Sequence, residues 1–150
     1  RFNLRRWSRM NDEDLDHLLK TKGIVANGAK ISSVGDNARF LLGLAETNGS
    51  VGAHFAGWSA ERYCENIQAL RKGGARLGGR TGQDFLRRMG VDTLIFTPDV
   101  LKALSRERVV SKMPNSGKDF AALKPAIDAW REQSRRSLTQ ISQILALSVD

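Results

Sequence analysis

The chain has 150 residues, a net charge of +8, and a composition 41% hydrophobic and 27% charged. That is enough to bury one core, and it excludes a disordered or low-complexity chain. The sequence holds no apolar run of membrane-spanning length and no signal-peptide pattern. A lone cysteine, Cys64, excludes an internal disulfide and fits a reducing cytoplasm. The chain begins on Arg1 rather than Met, and an N-terminal segment is expected to precede it. The basic excess favours polyanionic partners, because each phosphate neutralised releases a condensed counterion.

In chain order the pattern is helix after helix, joined by short loops. Asn11 caps a first helix with Asp12, Glu13 and Asp14 in its positive first turn, and Gly23 stops it. A longer helix runs from Gly28 to Thr47, with Ile31, Val34, Ala38, Leu41, Leu42 and Ala45 at helical spacing. A short helical turn over Val51 to Trp58 follows. Ser59 is placed to cap a helix through Tyr63, Ile67 and Leu70 that ends at Gly73-Gly74. Another helix opens near Arg80 and carries Phe85, Leu86 and Met89. The run from Val91 to Thr97 reads as a strand or a buried extended connection. Thr97-Pro98 starts the next helix, with threonine as cap and proline where no amide proton is needed. Ser116 to Asp119 is a capping box; Pro125 then kinks that helix or delays its start. Ser137 to Gln140 opens the last helix. The expectation is a single all-α domain over residues 1–150.

Two features carry chemistry. Between Arg71 and Arg88 lie Arg71, Lys72, Arg76, Arg80, Arg87 and Arg88 against one acid, Asp84, together with Gly73, Gly74, Gly78, Gly79 and Gly82. A glycine turn between two helices exposes amides at the positive start of the second, which suits a phosphate without reading a base. A plain αα-hairpin that needs glycine for close packing explains the same residues. The second feature is Asp99, in the first turn of the helix opened by Thr97-Pro98; complementing the helix dipole explains it equally well.

Together these features resemble the helix-hairpin-helix DNA glycosylase superfamily: a hairpin turn, a second helix, an extended connection, then an aspartate at a helix start. The resemblance is closer to the 3-methyladenine DNA glycosylase I group and spans nearly the whole chain. Arg1-Phe2-Asn3-Leu4 is similar to its entry segment, and Asp12-Glu13-Asp14-Leu15 to its acidic first helix. Gly23-Ile24-Val25-Ala26-Asn27-Gly28-Ala29-Lys30-Ile31 and Asp36-Asn37-Ala38 resemble its central signature. The stretch from Leu77 to Gly90 resembles its hairpin and following helix.

The resemblance implies a helix-hairpin-helix glycosylase fold and hydrolysis of the N-glycosidic bond of alkylated purines in double-stranded DNA; a non-catalytic helix-hairpin-helix DNA-binding module and a glycosylase for another damaged base are the alternatives. It implies DNA contacts from Arg76, Leu77, Gly78, Gly79, Arg80, Thr81 and Gly82, with Lys30 and Asn27 at the long helix start as further contacts or as a solvated helix start. The resemblance places the catalytic carboxylate at Asp99, eighteen residues after Thr81. Asp92, in Val91-Asp92-Thr93, is its rival; spacing and the Thr-Pro helix start favour Asp99. Thr81 stands where lyase-type members carry lysine, so a monofunctional enzyme is expected. Leu77 departs from the usual first glycine of the turn. One cysteine with His17 and His54 cannot supply the zinc site common in the group, and no metal site is expected beyond a monovalent cation that hairpin carbonyls hold in this superfamily. Trp7, Trp58, Trp130, Tyr63 and Phe55 are expected in the core rather than in a base pocket, and Cys64 as a small buried apolar group.

Overall fold

The computed structural model describes residues 3–149. Arg1 and Phe2, part of the entry resemblance, lie outside the described residues. All regular structure among these residues is helical, as the spacing predicts, and none of the helices is long and apolar enough to cross a membrane. The chain divides into two compact units, Arg1–His54 with Gly73–Ala75, and Phe55–Lys72 with Arg76–Asp150.

In the first unit α1 (Leu4–Trp7) and α2 (Asp12–Lys20) pack on α3 (Gly28–Asn48), which is followed by α4 (Val51–Ala56). Local polar groups fix the starts. The Asn11 side chain accepts from the Asp14 amide at 2.9 Å while Asp14 accepts from the Asn11 amide at 3.2 Å. Asn27 accepts from the Lys30 amide at 3.0 Å, and Gly49 ends α3 with φ +79°. Gly35 is buried because a side chain there would press on Met10, with Cβ to Cβ at 3.2 Å. Asn37, in the stretch that resembled the family signature, clasps Ala75: it donates to the Ala75 carbonyl at 3.0 Å and accepts from the Ala75 amide at 2.9 Å. It therefore holds residues 73–75 against α3.

The second unit contains α5 (Tyr63–Gly73), α6 (Arg80–Arg88), α7 (Pro98–Arg106), α8 (Gly117–Ser134) and α9 (Leu138–Leu147). A 3-10 turn at Ala60–Arg62 precedes α5, and Ser59 makes no capping hydrogen bond there, contrary to expectation. Its core gathers Phe55, Tyr63, Leu70, Leu86, Phe96 and Leu104, each no more than 2% exposed. Tyr63 and Phe55 are thus core residues, and Cys64 is buried too; Trp7, Trp58 and Trp130 are half-buried. Burial pushes the Cys64 thiol up to about 11, which disfavours the thiolate that a nucleophile requires. Thr97 caps α7 by accepting from the Val100 amide at 3.1 Å, and both expected capping boxes have both arms. Pro125 lies inside α8 rather than at its start.

Residues 91–97 form no strand; they are the extended connection, and most are buried. Buried amides and carbonyls need partners, and flanking side chains supply them. Arg87 donates to the Thr93 carbonyl at 2.6 Å, and Gln83 accepts from the Phe96 amide at 2.8 Å. The Ser142 hydroxyl accepts from the Ile95 amide at 3.1 Å and donates to the Ile95 carbonyl at 3.2 Å. Asp92 uses both carboxylate oxygens, which accept from the Leu138 and Thr139 amides at 2.9 Å each. It caps α9 from a distant part of the chain, beside the local cap from Ser137.

Asp92→Ala removes two charge-assisted bonds to a helix start and is expected to destabilise the fold by about 2 kcal/mol. Thermal unfolding should register this as a loss of roughly 4–8 °C in Tm. An unchanged Tm would mean that Ser137 alone suffices to start α9.

Candidate nucleic-acid interface

The basic glycine turn links α5 to α6. Arg76 turns the chain with a left-handed backbone, φ +59°. Leu77 is buried, so its side chain is not open to the contact expected of it. Gly82 is buried in the first turn of α6 because any Cβ would collide with the Leu77 carbonyl oxygen. Gly78 has Arg71 directly above it, with the Arg71 Cγ 2.6 Å from where a Cβ would be. Gly79 differs: nothing lies within 4 Å of its Cβ position. It is the N-cap of α6 and gives no side-chain cap. The first amides of that helix therefore have neither an intrahelical acceptor nor a capping side chain, and the dipole there is positive.

The surrounding charge is largely exposed. Arg71, Lys72, Arg76, Arg80 and Arg88 are exposed, whereas Arg87 is not. Arg80 lies 3.4 Å from Asp84, both about half exposed, a surface pair of little energy. Arg87 is committed to the Thr93 carbonyl, and burial pulls its guanidinium below the usual value, partly offset by Asp92 and Asp84. It is a structural cation.

Asp99 sits in the first turn of α7, exposed, with no hydrogen bond or ion pair among the described residues. Its rival Asp92 is occupied by two amides. The two carboxylates thus have different environments: one is consumed by the fold and the other is open to solvent.

One residue ties the hairpin to Asp99, and spacing alone does not reveal it. Gln83 is 2% exposed and stands in the first turn of α6, with Leu86 below it on the same buried face. Its carbonyl oxygen accepts from the Phe96 amide, immediately before the Thr97 cap of α7. Its amide nitrogen approaches the Met113 sulfur at 3.8 Å. Three residues, about 5 Å of helix rise, separate Gln83 from the start of α6. At most about 10 Å of chain separates Phe96 from Asp99. The starts of α6 and α7 are therefore held near each other. A polar residue on an apolar helix face was the available signal, since buried polar groups have partners. Lys30 lies in the other unit, exposed in the first turn of α3.

No three His, Cys, Asp or Glu side chains group as a metal site among the described residues. Compared with known protein families, curated proteins and solved structures, the chain has no significant match.

Gln83→Leu keeps the approximate volume but leaves the buried Phe96 amide without an acceptor, a loss of about 1–3 kcal/mol. Hydrogen exchange should find the Phe96 amide protected in the wild type and much faster in the variant. Equal protection in both would show that something other than Gln83 holds the entry to α7.

Proposed function

We propose that the protein is a monofunctional DNA glycosylase of the helix-hairpin-helix kind that releases alkylated purines from duplex DNA. The observation that carries this reading is the Gln83 to Phe96 hydrogen bond, which couples an uncapped, arginine-flanked helix start to the helix start bearing a carboxylate unpartnered among the described residues. Phosphate would lie against the open turn at Gly79, whose Cβ position has nothing within 4 Å, and meet the amides of Arg80 and Thr81, which no capping side chain takes. Arg76 and Arg80 would hold flanking phosphates.

Alkylation at N3 or N7 makes a purine cationic and a good leaving group. As its glycosidic bond breaks, positive charge develops on the sugar. Asp99 would face that charge and orient or deprotonate the attacking water. The nucleotide must first leave the stack, which takes a few kcal/mol. Thr81 has no amine, so no Schiff base forms with the sugar at that position. Asp92 is not the carboxylate in this scheme, because its oxygens are needed at the start of α9.

One observation favours a second reading, a non-catalytic DNA-binding module: Asp99 is exposed in an ordinary first helical turn, where the dipole alone accounts for it.

Release of methylated purines from alkylated duplex DNA separates the two. The wild type is expected to release base, and Asp99→Asn to do so at least about 100-fold more slowly with duplex affinity equal or improved. Borohydride should trap neither on DNA. Salt-sensitive duplex binding with no release by either protein would favour the binding module or a glycosylase for a different damaged base, and efficient trapping would assign the amine chemistry to a lysine elsewhere.

A further inference from the structure

Among the described residues, every non-glycine residue with a positive φ is an arginine: Arg76 at 59°, Arg108 at 58° and Arg135 at 53°. Left-handed backbone is unfavourable for an L-residue and free of strain for glycine. Arginine is therefore a costlier choice than glycine at these three positions, and its surroundings, not its φ, distinguish what each side chain does there. Arg108 shows the point best. It closes α7 in the manner of a glycine, with its amide donating to the Ser105 carbonyl at 3.0 Å and the Val109 amide to the Leu104 carbonyl at 2.9 Å.

Arg108 also lines an open cleft of about 350 Å³ at the junction of α7 and α8, together with Lys112, Lys118 and Asp119. None of the three cations has an ion pair among the described residues. The one acid is already engaged: Asp119 accepts from the Asn115 and Ser116 amides at 3.0 and 3.1 Å, bonds that with the weaker influence of the Lys112 charge hold its carboxyl below the usual value. Lys118 stands in the first turn of the long helix α8, whose dipole adds positive potential. Within the same junction, Met113 lies against Gln83 of α6. The cleft thus belongs to the same unit as the hairpin and is joined to its second helix.

We propose that this cleft is a second phosphate site, formed by Arg108, Lys112 and Lys118, that takes a phosphodiester group of duplex DNA beyond those at the hairpin. The inference rests on the DNA-binding reading above. Arg108 is then retained in a left-handed conformation for its guanidinium, which spans two phosphate oxygens as glycine cannot.

Binding of an undamaged duplex over a salt series tests this without reference to catalysis. Arg108→Gly and Lys112→Ala should each weaken binding and reduce the slope of log affinity against log salt by about one. Arg108→Gly should leave Tm equal or higher, which separates lost contact from lost folding. Arg135→Gly removes the same charge from the same backbone geometry, but in a cleft of mixed charge, where Arg131 and Arg136 stand beside Asp128 and Glu132; it should reduce the slope by clearly less than the junction variants do. Unchanged slopes in the junction variants overturn the proposal, as does an equal fall in Arg135→Gly, which would mean net charge alone is at work. Displacement by tripolyphosphate distinguishes the source: variants that lose tripolyphosphate but keep the duplex slope would assign the cleft to free polyphosphate. A wild type without salt-dependent duplex binding would overturn both this site and the glycosylase reading, whereas binding unaffected by the junction variants removes this site alone.

Discussion

The second unit depends on how a buried, non-helical stretch of backbone finds its hydrogen bonds. Residues 91–97 have neither a helix nor a sheet to satisfy them, and an unpaired buried amide or carbonyl is expensive. The solution uses side chains from both flanks. Gln83 and Arg87 reach in from α6, Ser142 from α9, and Asp92 reaches out from the stretch to the start of α9. Each bond satisfies a polar group and also fixes one element against another. The apolar residues of the stretch, Leu94 and Phe96, are then free to fill the core.

This explains which parts of the fold were legible in the sequence. Most helix starts were, because a cap acts within three residues: Asn11, Thr97, Ser116 and Ser137 each accept from an amide three positions on, whereas the short α1, capped by Asn3 in the same way, was not expected. The failure at Ser59 has a local cause, since the chain there enters a 3-10 turn rather than an α-helix. The long-range polar bonds were not legible. Asp92 caps a helix start 46 and 47 residues away, and Ser142 serves Ile95 across 47. No period in the sequence connects such positions. Asp92 looked like a candidate carboxylate because its local motif says nothing about a partner so far along the chain.

The candidate site divides in the same way. The glycines of the turn were readable as a set, but their roles differ on contact. Gly82 is required by the Leu77 carbonyl and Gly78 by Arg71, so both serve packing. Gly79 alone leaves open space over a helix start. Packing therefore accounts for Gly78 and Gly82, and leaves Gly79 as the glycine of the three that the proposed phosphate contact would explain. Likewise the basic run separates into Arg87, held inside by Thr93, and neighbours that remain exposed.

A reaction at a sugar needs a carboxylate and a backbone anchor held at fixed separation, since small displacements reduce rate steeply. Apolar packing alone resists such displacement weakly, because it is non-directional and neighbouring packings lie close in energy. A hydrogen bond made by a buried amide side chain is directional and has no nearby alternative acceptor. Gln83 makes such a bond between the helix after the turn and the backbone that leads into Asp99. On the proposed reading, the precision of the site therefore resides in a residue that touches neither DNA nor the reacting bond. The same reasoning sets Asp92 apart from Asp99. A carboxylate that a fold uses with both oxygens cannot also move toward a sugar, whereas one left without partners at a fixed helix start can meet a charge that appears only as the bond breaks.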